Sequence, residues 1–224
     1  MSLYGRFFAR IYDRVTAASE RAGLAQRRRA LLMRAEGRVL EIGAGSGANV
    51  DKYPNTVTEL VLTEPEEPMA ARLDRRCAVV GRPARIVRSP AEALPFEDDS
   101  FDAVVCTLVL CTVKDPEQAL AEIGRVLKSD GELLFLEHVR SSDPRAARWQ
   151  DRLNPLQRRI GHGCNCNRRT AELIAENGFE IAHLEHGEIP KAPKYLRPLV
   201  TGNALLGRKA LSDRTPLTTA EGPT

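Results

Sequence analysis

Between Val39 and Pro54 the chain reads VLEIGAGSGANVDKYP: a branched apolar run, Glu41, then Gly43, Gly45 and Gly47 at alternate positions. Glycines placed after a buried strand and before a helix let the backbone turn tightly and let a ligand approach it closely, which is the chemistry of a nucleotide cradle. The same stretch fits G-x-G-x-x-A with Ala48 in the last place, a permitted dinucleotide fingerprint, so the loop alone leaves its ligand open. Glu41 helps to separate the readings. A carboxylate beside the loop repels a pyrophosphate but accepts hydrogen bonds, directly or through water, from an ammonium group. S-adenosylmethionine carries that group and no phosphate. The next strand ends in LTEPEEPM and sets Glu64 17 residues after Gly47, about where a carboxylate receives the ribose hydroxyls of an adenosine. The plain alternatives, a solvent-facing Glu41 and a capping or surface Glu64, each hold for one residue in isolation and lose ground when both acids fall in register with the strands.

Transfer of a sulfonium methyl group asks the protein mainly for alignment and exclusion of water. A thiol acceptor, with an ordinary pKa near 8.5, is partly ionised unaided, whereas an alcohol or amine needs a base. The histidines placed for that role are His138, at a strand end in FLEHV, and His162, in GHGCN; either also reads as a structural histidine. Cys164 and Cys166 form C-x-C beside His162. A tetrahedral zinc site normally offers C-x₂₋₄-C and a second ligand pair, so the expectation is no metal. Cys106 and Cys111, bracketing a strand end, read as small buried apolar residues.

These residues need elements to hold them. Apolar strands are expected at 38–42, 59–63, 84–88, 101–107 and 132–139, separated by helix-compatible stretches, the alternation of a parallel sheet with crossover helices. A helix at 170–176 ends at Asn177-Gly178, and 179–186 and 199–206 read as two further strands that can close the sheet antiparallel. Before the first strand, a helix is expected from about Leu24 to Arg34. Tyr4, Phe8, Ile11, Tyr12 and Val15 recur at helical spacing with Arg6, Arg10 and Arg14 on another face, an amphipathic basic helix. The tail from Ser212 to Thr224, rich in Pro, Thr and Gly, reads as disordered.

With 224 residues and a formal net charge of +3, the chain suits one α/β domain and gives no strong expectation of a nucleic-acid face. Five cysteines without framework spacing and no signal-peptide pattern read as a reducing, cytoplasmic setting. No apolar run is long enough to cross a membrane, so any membrane contact is expected to be peripheral. Oligomeric state is left open.

The segment SPAEALPFEDDSFDAVVCTLVLCTVKDPEQALAEIGRVLKSDGELLFLEH resembles the class I S-adenosylmethionine-dependent methyltransferases. LPF-x-x-x-S-F-D followed by D-P-x-x-A-L-x-E-x-x-R-V-L-K-x-x-G is similar to the branch that methylates quinones, sterols and other small molecules. Within it, CTLVLCTV, FLEHV, a Trp, an Asn-Pro, HGCN and RP-x-x-x-G resemble the methyltransferase-like thiol methyltransferases. The resemblance runs from about Gly37 to Leu206. It implies a Rossmann-like, seven-stranded, mostly parallel sheet with helices on both faces and an antiparallel C-terminal strand, spanning 37–206. Residues 1–36 would form a helical lid and 207–224 a flexible tail. It also implies S-adenosylmethionine as methyl donor and a small-molecule acceptor, with a lipophilic thiol as best guess and a phenol or quinol methylated on O or C as the alternative.

Carried over one position at a time, the resemblance assigns Glu41, Gly43, Ala44, Gly45 and Gly47 to the methionine part of the donor and Glu64 with Pro65 to the ribose. Ser89, Ala91 and Glu92 fall beside the adenine, although many relatives place Asp or Gly where this chain has Ser89. Thr107 and Leu108 line the sulfonium side, and Cys164 and Trp149 the acceptor pocket. Animal members open with a long hydrophobic anchor, where this chain has MSLYGRFFARIYDRV; the first helix is expected to cover the pocket rather than lie on a membrane. Two rivals are weaker. A nicotinamide-dependent oxidoreductase would want a Tyr-x-x-x-Lys pair that is not seen. A nucleic-acid methyltransferase would find phosphate contacts in QRRRALLMR and RRIGHGCNCNRR but lacks an N/D-P-P-Y/F acceptor motif.

Overall fold

The computed structural model describes residues 13, 14 and 16–207; most of the expected amphipathic first helix and the tail after Ser212 lie outside them. Seven strands, β1 (Gly37–Ile42), β2 (Val57–Thr63), β3 (Arg85–Val87), β4 (Phe101–Thr107), β5 (Leu127–His138), β6 (Phe179–Glu188) and β7 (Pro198–Leu206), form one sheet in the order β3-β2-β1-β4-β5-β7-β6. Only β7 runs against the others, paired antiparallel to β5 and to β6. The helices are α1 (Ala25–Leu32), α2 (Glu67–Val80), α3 (Pro116–Val126), α4 (Pro144–Ile160) and α5 (Thr170–Glu176).

The central strands are covered on both faces, which is why they read as unbroken apolar runs. Leu40, Val104 and Phe135 point to one core with Leu120 and Ile123 of α3 and Ile174 of α5. Val39, Val105 and Leu134 point to the other with Leu32 of α1 and Leu73 of α2. Local chemistry sets the helix starts: the Asp115 carboxylate accepts from the Gln118 N–H at 3.0 Å and Asp143 from Arg145 at 2.9 Å, each with a proline in the following turn. Gly81, left-handed at φ 70°, ends α2.

Two elements differ from expectation. β5, expected from residue 132, begins at Leu127, which pairs with Phe101 before the register slips and resumes at Ala103 opposite Glu132; the polar KSDG stretch is a bulged strand start. Between the glycine loop and β2, where a helix was expected, residues 45–52 fold as successive turns and no helix forms. Among the described residues no helix is long and apolar enough to cross a membrane.

Candidate active site

Chain order reverses between β1 and β4, which are neighbours in the middle of the sheet; the crevice beyond their C-terminal ends is where open α/β sheets bind ligands. The glycine loop leaves β1 there. Gly43, Gly45 and Gly47 all have positive φ (60°, 58° and 88°). A methyl group on Gly43 would come within 2.8 Å of the Val109 side chain, and one on Gly47 within 2.9 Å of Arg76, whereas one on Gly45 would meet nothing within 4 Å. Gly43 and Gly47 are therefore glycines for packing, and Gly45 is the bare backbone open to a ligand. Ala44 is tied to β2 by its N–H, 2.9 Å from the Thr63 carbonyl.

Beneath the loop lies a buried polar network. Glu41 accepts from the Tyr53 hydroxyl at 2.6 Å and from the Asn49 amide at 2.9 Å. The same amide and the Arg28 guanidinium donate to the Thr107 hydroxyl, at 2.9 and 2.8 Å. Both Glu41 oxygens thus already have protein donors, so its first task is to fix Asn49 and Tyr53 behind the loop. Arg28 was not singled out from the sequence as a site residue; in QRRRALLMR it read as a possible phosphate contact, yet it is 3% exposed and also bonds Glu20.

Burial pushes the Glu41 carboxyl up to about 7, opposed by its bonds to Tyr53 and Asn49 and by the charges of Arg28 and Lys52. A carboxyl raised from 4.5 in this way contributes most below its unfolded value and loses that contribution as pH rises through 7. Over this window the loss is about 3 kcal/mol, from 1.36 kcal/mol per unit. Glu41→Gln removes that slope. The stability of wild type minus that of Glu41→Gln is therefore expected to fall between pH 5 and 7.5, read by denaturant unfolding; parallel profiles would contradict it.

Glu64 closes the loop from β2. Its carboxylate accepts from the N–H of Gly45 at 2.9 Å and of Glu66 at 2.9 Å; burial pushes its pKa up, and these two backbone donors pull against that. Pro65 follows it, its carbonyl 3.4 Å from an Arg88 nitrogen. Ser89 and Ala91 are buried in the next turn, where the Ser89 hydroxyl donates to the Ala93 carbonyl at 2.6 Å. Glu92 accepts from the N–H of Lys114 and of Asp115.

Past β4, Leu108 sits at φ 62°, a conformation costing a non-glycine residue about 1 to 3 kcal/mol. Glu137 holds the turn. Fully buried, it accepts from the N–H of Val109, Leu110 and Cys111 at 2.8, 2.9 and 3.2 Å. Glu137 stands beside His138 in FLEHV and was passed over in the sequence; a buried strand-end acid was the signal. The segment after α4 locks the same turn from outside, through the Asn165 N–H to the Cys111 carbonyl at 2.7 Å and the Arg168 guanidinium to the Leu110 and Val113 carbonyls.

His138, at the end of β5, turns its Nδ1 toward Cys164 and Cys111. His162 is elsewhere, at φ 51° with Nε2 3.9 Å from Glu66. Cys166, paired with Cys164 in the sequence, points away toward Asn154. Trp149 lies on α4, 57% exposed with Arg152 beside its ring, not in a closed pocket.

The sequence matches the methyltransferase domain family over residues 40–135. It is 34% identical over 173 residues to the thiol S-methyltransferase TMT1B of Rattus norvegicus, covering 75% of this chain and 70% of that protein. Human thiol S-methyltransferase TMT1A is 32% identical over 171 residues, with 75% and 70% covered. Among solved structures, a SAM-dependent methyltransferase of Thermotoga maritima, described as a possible histamine N-methyltransferase, superposes with a TM-score of 0.68 at 23% identity, covering 90% of this chain and 97% of that one. The strand order, the glycine crevice and these similarities together place the protein: the chain belongs to the class I S-adenosylmethionine-dependent methyltransferases.

Proposed function

We propose that this methyltransferase moves the methyl group of S-adenosylmethionine to the sulfur of a small lipophilic thiol. The observation that carries the acceptor is the similarity to thiol S-methyltransferases, which extends beyond the donor-binding half of the domain.

The crevice fits the donor. Gly45 offers backbone with open space above it, and Glu64 stands against the same residue. In this reading Gly43, Ala44, Gly45 and Gly47 shape the seat of the methionine part, with Glu41 acting through Asn49 and Tyr53 behind it and meeting the ammonium through that network. Glu64 accepts the ribose hydroxyls, with Pro65 setting the turn. Ser89 and Ala91 flank the adenine, and Thr107 and Leu108 border the sulfonium. The bound donor supplies an electrophilic methyl group and a neutral leaving group. The acceptor thiol gives its proton to solvent, and its sulfur forms the new C–S bond as the methyl–sulfonium bond breaks, leaving a thioether and S-adenosylhomocysteine. No base is required of the chain for a thiol that ionises near neutral pH. The turn after β4, the end of β5 and the segment around Cys164 form the acceptor side.

Residues 1–36 serve as the lid. Supporting this reading, Asp13 of that segment accepts from the Ser46 hydroxyl on the glycine loop at 2.5 Å and pairs with Arg72 of α2.

A screen of small thiols, phenols, quinols and amines with a methyl-labelled donor tests the acceptor. Label is expected in a thioether, with S-adenosylhomocysteine released in equal amount. Label in a phenol or quinol and in no thiol would overturn the thiol assignment.

A further inference from the structure

Three soft ligand atoms meet beside the acceptor side. Cys111 Sγ and Cys164 Sγ are 3.8 Å apart, and His138 Nδ1 lies 3.6 Å from Cys164 Sγ and 3.8 Å from Cys111 Sγ. They come from three segments: the turn after β4, the end of β5 and the loop after α4. Tetrahedral zinc with Zn–S of about 2.3 Å and Zn–N of about 2.0–2.1 Å sets its S···S edge at about 3.8 Å and its S···N edges at about 3.6 Å. The three separations describe one face of that tetrahedron.

The geometry points to Cys111, His138 and Cys164 as a Cys₂His site for a soft divalent cation, zinc, whose fourth corner is taken by an exogenous ligand. The supports of each ligand favour a built site. The Cys111 backbone is held at its N–H by Glu137 and at its carbonyl by Asn165. The Cys164 N–H is bound by the Gly161 carbonyl at 3.1 Å, and the Thr170 hydroxyl donates to the His138 carbonyl at 3.3 Å. Both sulfurs are buried while the imidazole is partly exposed, which leaves a path for the ion. Thiol hydrogen bonds alone give a weak reason to gather two cysteines and a ring nitrogen, since S–H is a poor donor. On binding, each cysteine releases its proton to solvent and the two thiolates balance the charge of the cation. Among the described residues this is the group of His, Cys, Asp and Glu atoms close enough to share an ion. The expectation of no metal came from the C-x-C pair, and Cys166 indeed takes no part; the partner of Cys164 comes instead from 53 residues earlier in the chain.

The full chain, reduced and stripped with a chelator, is titrated with zinc sulfate alone. About one zinc per chain is expected, with a rise in melting temperature, because binding to the folded form stabilises it. Cobalt in place of zinc should give thiolate-to-metal charge-transfer bands and the intense visible absorption of a tetrahedral ion. Cys111→Ser with Cys164→Ser should abolish both readouts, and Cys77→Ser on α2 should retain them. No zinc held by reduced wild type, an octahedral cobalt spectrum, or full binding by the double variant would overturn the site; the cobalt spectrum of wild type does not depend on any variant folding. None of these results bears on which acceptor is methylated.

Discussion

Glu64→Ala is expected to weaken S-adenosylhomocysteine binding by about 1.5 to 3 kcal/mol, roughly 10- to 150-fold in Kd, the range for hydrogen bonds to a charged group. Two effects add. In the proposed donor site the ribose hydroxyls lose their acceptor, and the Gly45 N–H loses the carboxylate oxygen 2.9 Å away. The change leaves the sheet untouched, because Glu64 lies past the last residue of β2 and its backbone N–H still reaches the Val87 carbonyl at 3.1 Å. Calorimetry on the variant, with a thermal melt of the ligand-free protein, separates the effects. A lowered melt with unchanged affinity of the folded fraction would make Glu64 structural only.

The largest loss of stability is expected from Glu137→Ala. Three backbone N–H groups converge on that carboxylate in a fully buried site, and water cannot easily replace it there. Each orphaned donor costs about 1 to 3 kcal/mol, so a loss of at least about 3 kcal/mol is expected by urea unfolding. Glu137→Gln keeps one oxygen for Val109 and Leu110 but turns an amide N–H₂ toward the Cys111 N–H, so it should recover most of the loss. Equal destabilisation by both variants would show that charge, not acceptor geometry, matters at this position.

The fold was readable because parallel strands covered on both faces leave apolar runs in the sequence; β4 and α5 fall where the pattern put them. Glu64 was readable too, since its distance from the glycine loop follows from the spacing of two neighbouring parallel strands, even though turns and not a helix connect them. The partners of Glu41 were not: Asn49 and Tyr53 lie 8 and 12 residues on, across a loop whose course depends on three positive φ angles. Nor was the Cys111–His138–Cys164 group, because side chains 26 to 53 residues apart meet only when β4, β5 and the end of α4 are placed. Arg28 misled for a related reason: an arginine run reads as a charged face, while a single guanidinium at the right point of α1 is enough to bridge Glu20, Asn49 and Thr107.

In the proposed donor site, Glu41 and Glu64 around the glycine loop suit a nucleoside with an ammonium group and no phosphate. Calorimetric titration of the purified chain with S-adenosylhomocysteine and, separately, with NAD and NADP tests it most directly. Saturable binding of S-adenosylhomocysteine, tighter than either dinucleotide, is the predicted result; tighter binding of NAD or NADP would contradict it.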